Sequence, residues 1–354
     1  MNRFAAAVLT VLALTACETD PAAVHDASLP LDSHVDIPLD FATPEVDPRT
    51  GDLQVNLDKM RAGGLDAAFF IVYVAQTART PGNYMQAEAD AMTKFDAIHR
   101  MTETYPELIG LVESADDVER LVGEGRLAAA IGIENGYVIG DDLVLLDRYF
   151  DLGARYMTLV HNGHNDIADS AQPNAELGDA QAEHGGVSDF GARVIQRMNE
   201  LGIMVDVSHA SKAVALQAME LSAAPVIASH SSVRSLTDHV RNLDDETLLA
   251  LAEDGGVVQI VAYPGFIGSG EPKTVSDLVD HIEYAVDLIG IEHVGISSDF
   301  GGGGGIEGWN DATETPNVTA ELVRRGYSAS DIERLWSGNL LRVWREAERV
   351  AAGP

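Results

Sequence analysis

From residue 31 onward, short apolar runs alternate with longer amphipathic stretches. "LDAAFFIVYVA" (65–75), "LAAAIGIE" (127–134) and "GVVQIVAY" (256–263) are short and bounded by turn or polar residues, which marks buried strands. Between such runs, "DFGARVIQRMNELG" and "VSDLVDHIEYAVDLIG" carry apolar residues every three or four positions, the helical period. Further strands are expected near 33–36, at "RYMTLVH" (155–161), "IMVDVSH" (203–209), "PVIASH" (225–230) and "HVGISSD" (293–299). "LIGLVES" (108–114) reads as a ninth, short element inside a long connection. Strands alternating with helices predict a parallel sheet. Eight such units without a linker favour one α/β domain, a (β/α)8 TIM-like barrel over residues 31–354, over two doubly wound domains.

Polar residues close these strands, and in a barrel the C-terminal strand ends converge on one rim. His34 and Asp36 share "LDSHVDIPLD"; because strand side chains alternate with period two, both leave one face. Glu134, His161, His209, His230 and Asp299 end the later strands, so four of the eleven histidines fall on the rim. One such group is easily a satisfied core residue. Several together need either a cation or a hydrogen-bond network. Three imidazoles and at least two carboxylates exceed the four ligands of one zinc, which suggests a two-metal site with a shared bridge. Lys59, Lys94, Lys212 and Lys273 fall in expected helices or loops, so Glu134 is the better bridging candidate than a modified lysine.

Charge narrows the partners. A net charge of −33 and a pI near 4.4 exclude the clustered basic surface that nucleic acid requires. The opening "MNRFAAAVLTVLALTAC" has an early cation, an apolar run too short to span a bilayer as a permanent helix, and small residues before Cys17, the only cysteine. It reads as a signal peptide over 1–16, with Leu14-Thr15-Ala16-Cys17 similar to a bacterial lipobox. Cys17 would then carry lipid, residues 17–30 would form a tether, and the protein would face the periplasm or cell exterior, touching membrane only through its anchor. With one cysteine no intrachain disulfide can form.

In this order and spacing, "DSHVDIPLDF", "GIENG", "TLVHN", "DVSHAS", "IASHSS", "RNLDDETL", "SSDFGG" and "SGNLLRVW" resemble the membrane dipeptidase family, the renal dipeptidases or M19 peptidases, over nearly all of 31–350. The resemblance implies two Zn2+ per chain, with Co2+ or Mn2+ also suited to the donors. It implies His34 and Asp36 on one metal, His209 and His230 on the other, and Glu134 bridging. It further implies His161 on the substrate and tetrahedral intermediate, Arg241 on the substrate carboxylate, and Asp299 moving the proton after attack by a metal-bridging hydroxide. Dipeptides, including those with a C-terminal D-residue, would be the substrates, and a homodimer is common among relatives. Where relatives carry a pocket tyrosine after the seventh strand, "AYPGFIG" offers Tyr263 or Phe266. "GGGGG" at 301–305 is expected to be a mobile loop beside the pocket, with Trp309 as a wall. The competing readings are a dinuclear amidohydrolase for a non-peptide amide or lactone, and a non-catalytic peptide-binding lipoprotein.

Overall fold

The computed structural model describes residues 20–353 apart from 269 and 271; the leader and Cys17 lie outside the described residues. Nine strands occur in chain order: β1 Leu31–Asp36, β2 Ala67–Tyr73, β3 Ile109–Leu111, β4 Leu127–Glu134, β5 Ala154–Thr158, β6 Met204–Asp206, β7 Ile227–Ser231, β8 Val257–Val261 and β9 Val294–Ser297. All pairings between them are parallel, in the order β1-β2-β4-β5-β6-β7-β8-β9. The ring meets itself where Asp36 N–H donates to Phe300 C=O at 2.8 Å, beside the bridge Val35–Phe300. This is the expected barrel. β3 lies off the ring, pairing with Leu127–Ala129 at the start of β4, while β5 pairs with residues from Ile131 onward.

Every residue of β4 is buried, and its small side chains make room for larger ones crossing the interior. A Cβ on Gly132 would stand 2.3 Å from the Tyr156 ring; without it, Tyr156 reaches across to His34. At the N-terminal end of the barrel, the helix Asn339–Ala352 packs Leu340, Leu341 and Trp344 against Leu31, Phe69 and Tyr156. That face is plugged with apolar side chains. The rim where β1, β4 and β7 end is left open for chemistry.

Three expectations are corrected. The described part of the tether contains a helix, Pro21–Ala27, capped by Asp20, with Val24 and His25 buried. His25 contacts Thr319 Oγ1 at 2.8 Å through Nδ1 and Gly63 C=O at 2.9 Å through Nε2, so an apolar residue and a doubly bonded imidazole dock a stretch whose composition resembles a linker. The glycine run is a hydrogen-bonded turn. Gly304 N–H donates to Asp299 C=O, Gly305 N–H to Ala262 C=O, and Gln54 bonds both Gly301 and Gly304. Trp309 is fully buried against Phe300 and Trp336, so it is core and not a pocket wall. A Cβ on Gly302 would lie within 2.5 Å of carboxylate oxygens of both Asp36 and Asp299, which is why the turn is bare there.

Candidate metal centre

The strand ends bring all seven expected rim residues onto one cavity or its floor. Asp36, Glu134, His161, His209, His230 and Asp299 line a cavity of about 710 Å3, and His34 lies fully buried beneath it. Glu134 sits at the centre. Its Oε1 is 3.0 Å from His209 Nε2, 3.4 Å from His230 Nε2 and 3.6 Å from His161 Nε2, and its Oε2 is 3.6 Å from His34 Nε2. His34 Nε2 is also 3.5 Å from Asp36 Oδ2, and His209 and His230 bring their Nε2 atoms to 3.0 Å. Two ligands bound at about 2.0–2.1 Å around a tetrahedral zinc stand about 3.3–3.4 Å apart. These separations are therefore those of groups sharing a cation.

Three of these imidazoles, His34, His209 and His230, are fixed through the other nitrogen, which orients Nε2 inward. His34 Nδ1 meets the Tyr156 hydroxyl at 2.8 Å, and that hydroxyl donates to Ser33 C=O. His209 Nδ1 meets Asn162 Oδ1 at 3.0 Å. His230 Nδ1 meets Ser229 Oγ at 2.9 Å, and Ser229 in turn donates to buried Asp206, which also accepts from Thr158. Two of the rim groups hold unusual backbone: His209 (φ 65) and Asp299 (φ 60) are left-handed non-glycine residues. Such geometry costs free energy and survives where surrounding structure imposes it.

The donors fit a metal. His34 Nε2 is a buried nitrogen without a hydrogen-bond partner among the described residues, a costly state unless another atom binds it. Three overlapping groups hold their donor atoms within 4.8 Å: His34, Glu134 and His230; Glu134, His161 and His209; His34, Asp36 and Asp299. Electrostatics point the same way. Burial opposes a charge on His34, yet Glu134 and Asp36 hold its pKa well above the imidazole range, a field a divalent cation satisfies as well as a proton. Burial works to raise Glu134 as well, but His161 and His34 hold it far below the carboxylate range. Burial, with Asp36 and Glu134 nearby, pushes Asp299 well up despite His34. His209 and His230 are pushed down by burial, with Arg241 and His161 adding to the first and His34 to the second; His230 falls to about 3. Burial also lowers His161.

Arg241 shares the cavity. Its side chain is buried, and among the described residues its guanidinium makes one hydrogen bond, to His230 C=O at 3.4 Å, and pairs with no carboxylate. Asp244, a neighbour that would pair with a surface arginine, instead binds Lys212. Phe266 lies 5.4 Å below the guanidinium and 4.5 Å from the Tyr263 ring, so both candidates for the pocket position line the same wall, and the hydroxyl there is Tyr263's. The family model for membrane dipeptidase (peptidase family M19) matches residues 20–353.

The chain belongs to the membrane dipeptidase family.

It is a metallo-dipeptidase, built to hydrolyse dipeptides with a metal cofactor. Among its relatives is dipeptidase aclJ of Aspergillus oryzae, 36% identical over 305 residues, which are 84% of this chain and 71% of the fungal protein. The crystal structure of the probable dipeptidase PvdM from Pseudomonas aeruginosa superposes with a TM-score of 0.90 at 33% identity, covering 94% of this chain and 98% of that one. A Rhodobacter sphaeroides metallopeptidase, solved with a phosphinate mimic of the dipeptide L-Ala-D-Ala, shares the fold with a TM-score of 0.79 at 22% identity, over 90% and 99% of the two chains.

Sequence reasoning missed several residues of this dipeptidase's pocket. Tyr73, Lys94, Asn162 and His239 also line it. Tyr73 closes its strand as the other rim residues do, and its ring lies 4.9 Å from that of His161, so the same strand-end criterion would have found it had aromatic residues been counted. Asn162 stands beside His161 in "TLVHN", but nothing in the spacing reveals that it turns back to hold His209.

Proposed function

We propose that this metallo-dipeptidase holds two zinc ions, cleaves dipeptides that carry a free C-terminal carboxylate, and accepts a D-residue at that end. The observation that carries the reading is the unpaired, buried guanidinium of Arg241 on the cavity that holds the donor cluster. A guanidinium in that setting lacks a planar anion, and the α-carboxylate of a short peptide supplies one in bidentate fashion. A longer peptide would have to bury its continuing chain where Arg241 stands. The ligand for the bound Rhodobacter enzyme, an L-Ala-D-Ala mimic, is consistent with the D-residue, since a pocket gripping a carboxylate and leaving the last side chain on the wall of Tyr263 and Phe266 need not select its hand.

His34 and Asp36 would hold one ion and His209 and His230 the other, with Glu134 between them. When bound, the pair supplies a Lewis acid for the scissile carbonyl and acidifies a water. The chain does the remainder. Arg241 anchors the carboxylate and thereby sets the peptide bond over the cluster. His161, which lines the cavity with its Nε2 3.6 Å from Glu134 Oε1, donates to the oxygen that becomes negative as the carbonyl carbon turns tetrahedral. Asp299, on the same rim and lining the same cavity, starts as a carboxylate, takes the proton from the attacking water and passes it to the leaving amine. Residues 1–16 as a signal peptide and Cys17 as a lipid anchor would put this activity in the cell envelope; the support is "LTAC" in the sequence, and loss of lipid labelling in Cys17→Ala tests it.

The testing experiment compares L-Ala-L-Ala, L-Ala-D-Ala, L-Ala-L-Ala amide and a tripeptide, before and after chelation and with zinc restored. Hydrolysis of both free dipeptides, lost with chelator and regained with zinc, with the amide and tripeptide at least about tenfold slower, is the expected result. A folded, metal-loaded protein that turns over none of them, or the amide as fast as the acid, would sink it.

A further inference from the structure

Lys94 is a lysine where none is expected. The helix Pro81–Thr104 buries Ala87, Ala91, Lys94, Ile98 and Met101 at helical spacing, so Lys94 occupies its apolar stripe. The residue is 5% exposed, lines the same cavity as the donor cluster, and makes no hydrogen bond or ion pair among the described residues. Its ammonium lies 5.4 Å over the Tyr73 ring, which offers a weak, undirected attraction in place of a partner. Buried charges without partners are costly and are kept where something binds them.

Topology says which part of a substrate it meets. Arg241 follows β7, whereas Tyr73 ends β2 and Lys94 lies on the helix that follows β2. In the ring order, β2 and β7 are four places apart out of eight, so the two cations stand on opposite sides of the barrel mouth with the Glu134 cluster between them. A dipeptide with its carboxylate on Arg241 and its peptide bond over the cluster must extend its N-terminal residue toward Lys94. Resting on the carboxylate anchoring argued above, we propose that Lys94 is a specificity-determining residue that receives a side-chain carboxylate on the N-terminal residue, making acidic-Xaa dipeptides favoured substrates. Burial lowers the Lys94 pKa while Asp36 and Glu134 partly restore it, so an anion arriving beside the ammonium replaces solvation that the protein withholds. The same cation disfavours an N-terminal Lys or Arg side chain. In a chain of net charge −33, such local cations are also what lets an acidic substrate approach.

The test measures kcat/KM for L-Glu-L-Ala against its neutral isostere L-Gln-L-Ala, and for L-Ala-L-Glu against L-Ala-L-Gln, in the zinc-loaded full chain, in Lys94→Met and in Lys94→Arg. Metal content and Tm are read alongside. The expected Glu/Gln ratio is about tenfold or more at the N-terminal position in the wild type, about one in Lys94→Met whatever the absolute rates, and largely kept in Lys94→Arg. The C-terminal ratio should be the same in all three. A wild-type N-terminal ratio of one or below overturns the proposal even if the variants fail to fold. A ratio unchanged in Lys94→Met, with only Tm altered, assigns Lys94 to packing and overturns it too. A C-terminal ratio that collapses instead places Lys94 at the other end of the substrate. If no dipeptide is cleaved at all, the carboxylate anchoring itself has failed, a result distinct from dipeptides cleaved without preference.

Discussion

Buried histidines occupy two regions of this barrel, and they differ in what their nitrogens do. Away from the rim, His25 uses Nδ1 and Nε2 on Thr319 and Gly63, and His164 accepts from Ser170 N–H and donates to Ala180 C=O. His281 accepts from Val233 N–H and faces Thr237. At the rim, His34, His209 and His230 commit only Nδ1 to a fixed partner and bring Nε2 against one another and Glu134. The arginines repeat the contrast. Arg155 is as buried as Arg241, yet its guanidinium donates to the carbonyls of Glu113, Phe150 and Ala154, whereas Arg241 has one long contact. Burial of a polar group says little about function. A buried group whose bonding capacity is left over, pointing where others do likewise, says a great deal.

The contrast is tested most severely at Glu134, which touches every inward-facing nitrogen. Glu134→Gln removes the shared charge, so on the two-ion reading proposed above bound metal should fall below two ions per chain and dipeptide kcat/KM by about 10³-fold, some 4 kcal/mol of transition-state stabilisation. Metal analysis of the purified variant beside its kinetics checks this; full loading with wild-type rates would mean that Glu134 does not bridge. Next come the arginines as a pair. Arg241→Met should raise KM for free dipeptides and lower kcat/KM about 30–100-fold with little change in Tm. Arg155→Met should do the reverse, leaving KM alone and costing about 1–3 kcal/mol of stability as three carbonyls, one of them in a buried bond, lose their donor. Similar kinetic profiles for the two would erase the distinction.

A subtler comparison is Tyr156→Phe, which takes the anchor from His34 Nδ1 without touching Nε2. Zinc affinity should weaken about 10-fold to 100-fold, read by competition with a chelating dye. The smallest effect concerns a peripheral group that departs from the pattern. Burial, with Asp26 adding to it, raises the Asp66 carboxyl from 3.8 to about 7. Its folded pKa lies above its unfolded one, so the unfolded chain releases the proton first and stability is lost as pH rises from about 4 through about 7. Asp66→Asn should therefore add roughly 1–2 kcal/mol above pH 7, after allowing for partial solvent screening, and change little below pH 4. Urea titrations at the two ends of that window decide it, and an equal effect at both would remove the titration from the account.

How far this molecule can be read without coordinates follows from the same physics. Short bounded apolar runs and strand-end position are local properties, so the eight ring strands and all seven rim residues were visible in short windows, as was the extra strand at 109–111. The supporting contacts were not. Tyr156 meets His34 across 122 residues, and Thr158 and Ser229 converge on Asp206 only once β5, β6 and β7 have paired. Lys94 lay hidden in plain view, since a lysine in a helix is ordinarily solvated, and only its place in the stripe of Ala91, Ile98 and Met101 betrays it. The helix Pro21–Ala27 failed for the opposite reason: seven residues with one buried valine give too little periodicity to separate a docked turn from a linker.

The seam between the first and last ring strands carries a consequence for biosynthesis. Val35 and Asp36 meet Phe300 there, directly beside His34 on one side and Asp299 on the other. During synthesis from the N-terminus, a ribosome must deliver some 260 further residues after Asp36 before its partner exists, so the ring closes only after the last proposed ligand, His230, has already been made. A nascent chain halted before Phe300 would possess all five proposed ligands but no closed ring to hold them in place.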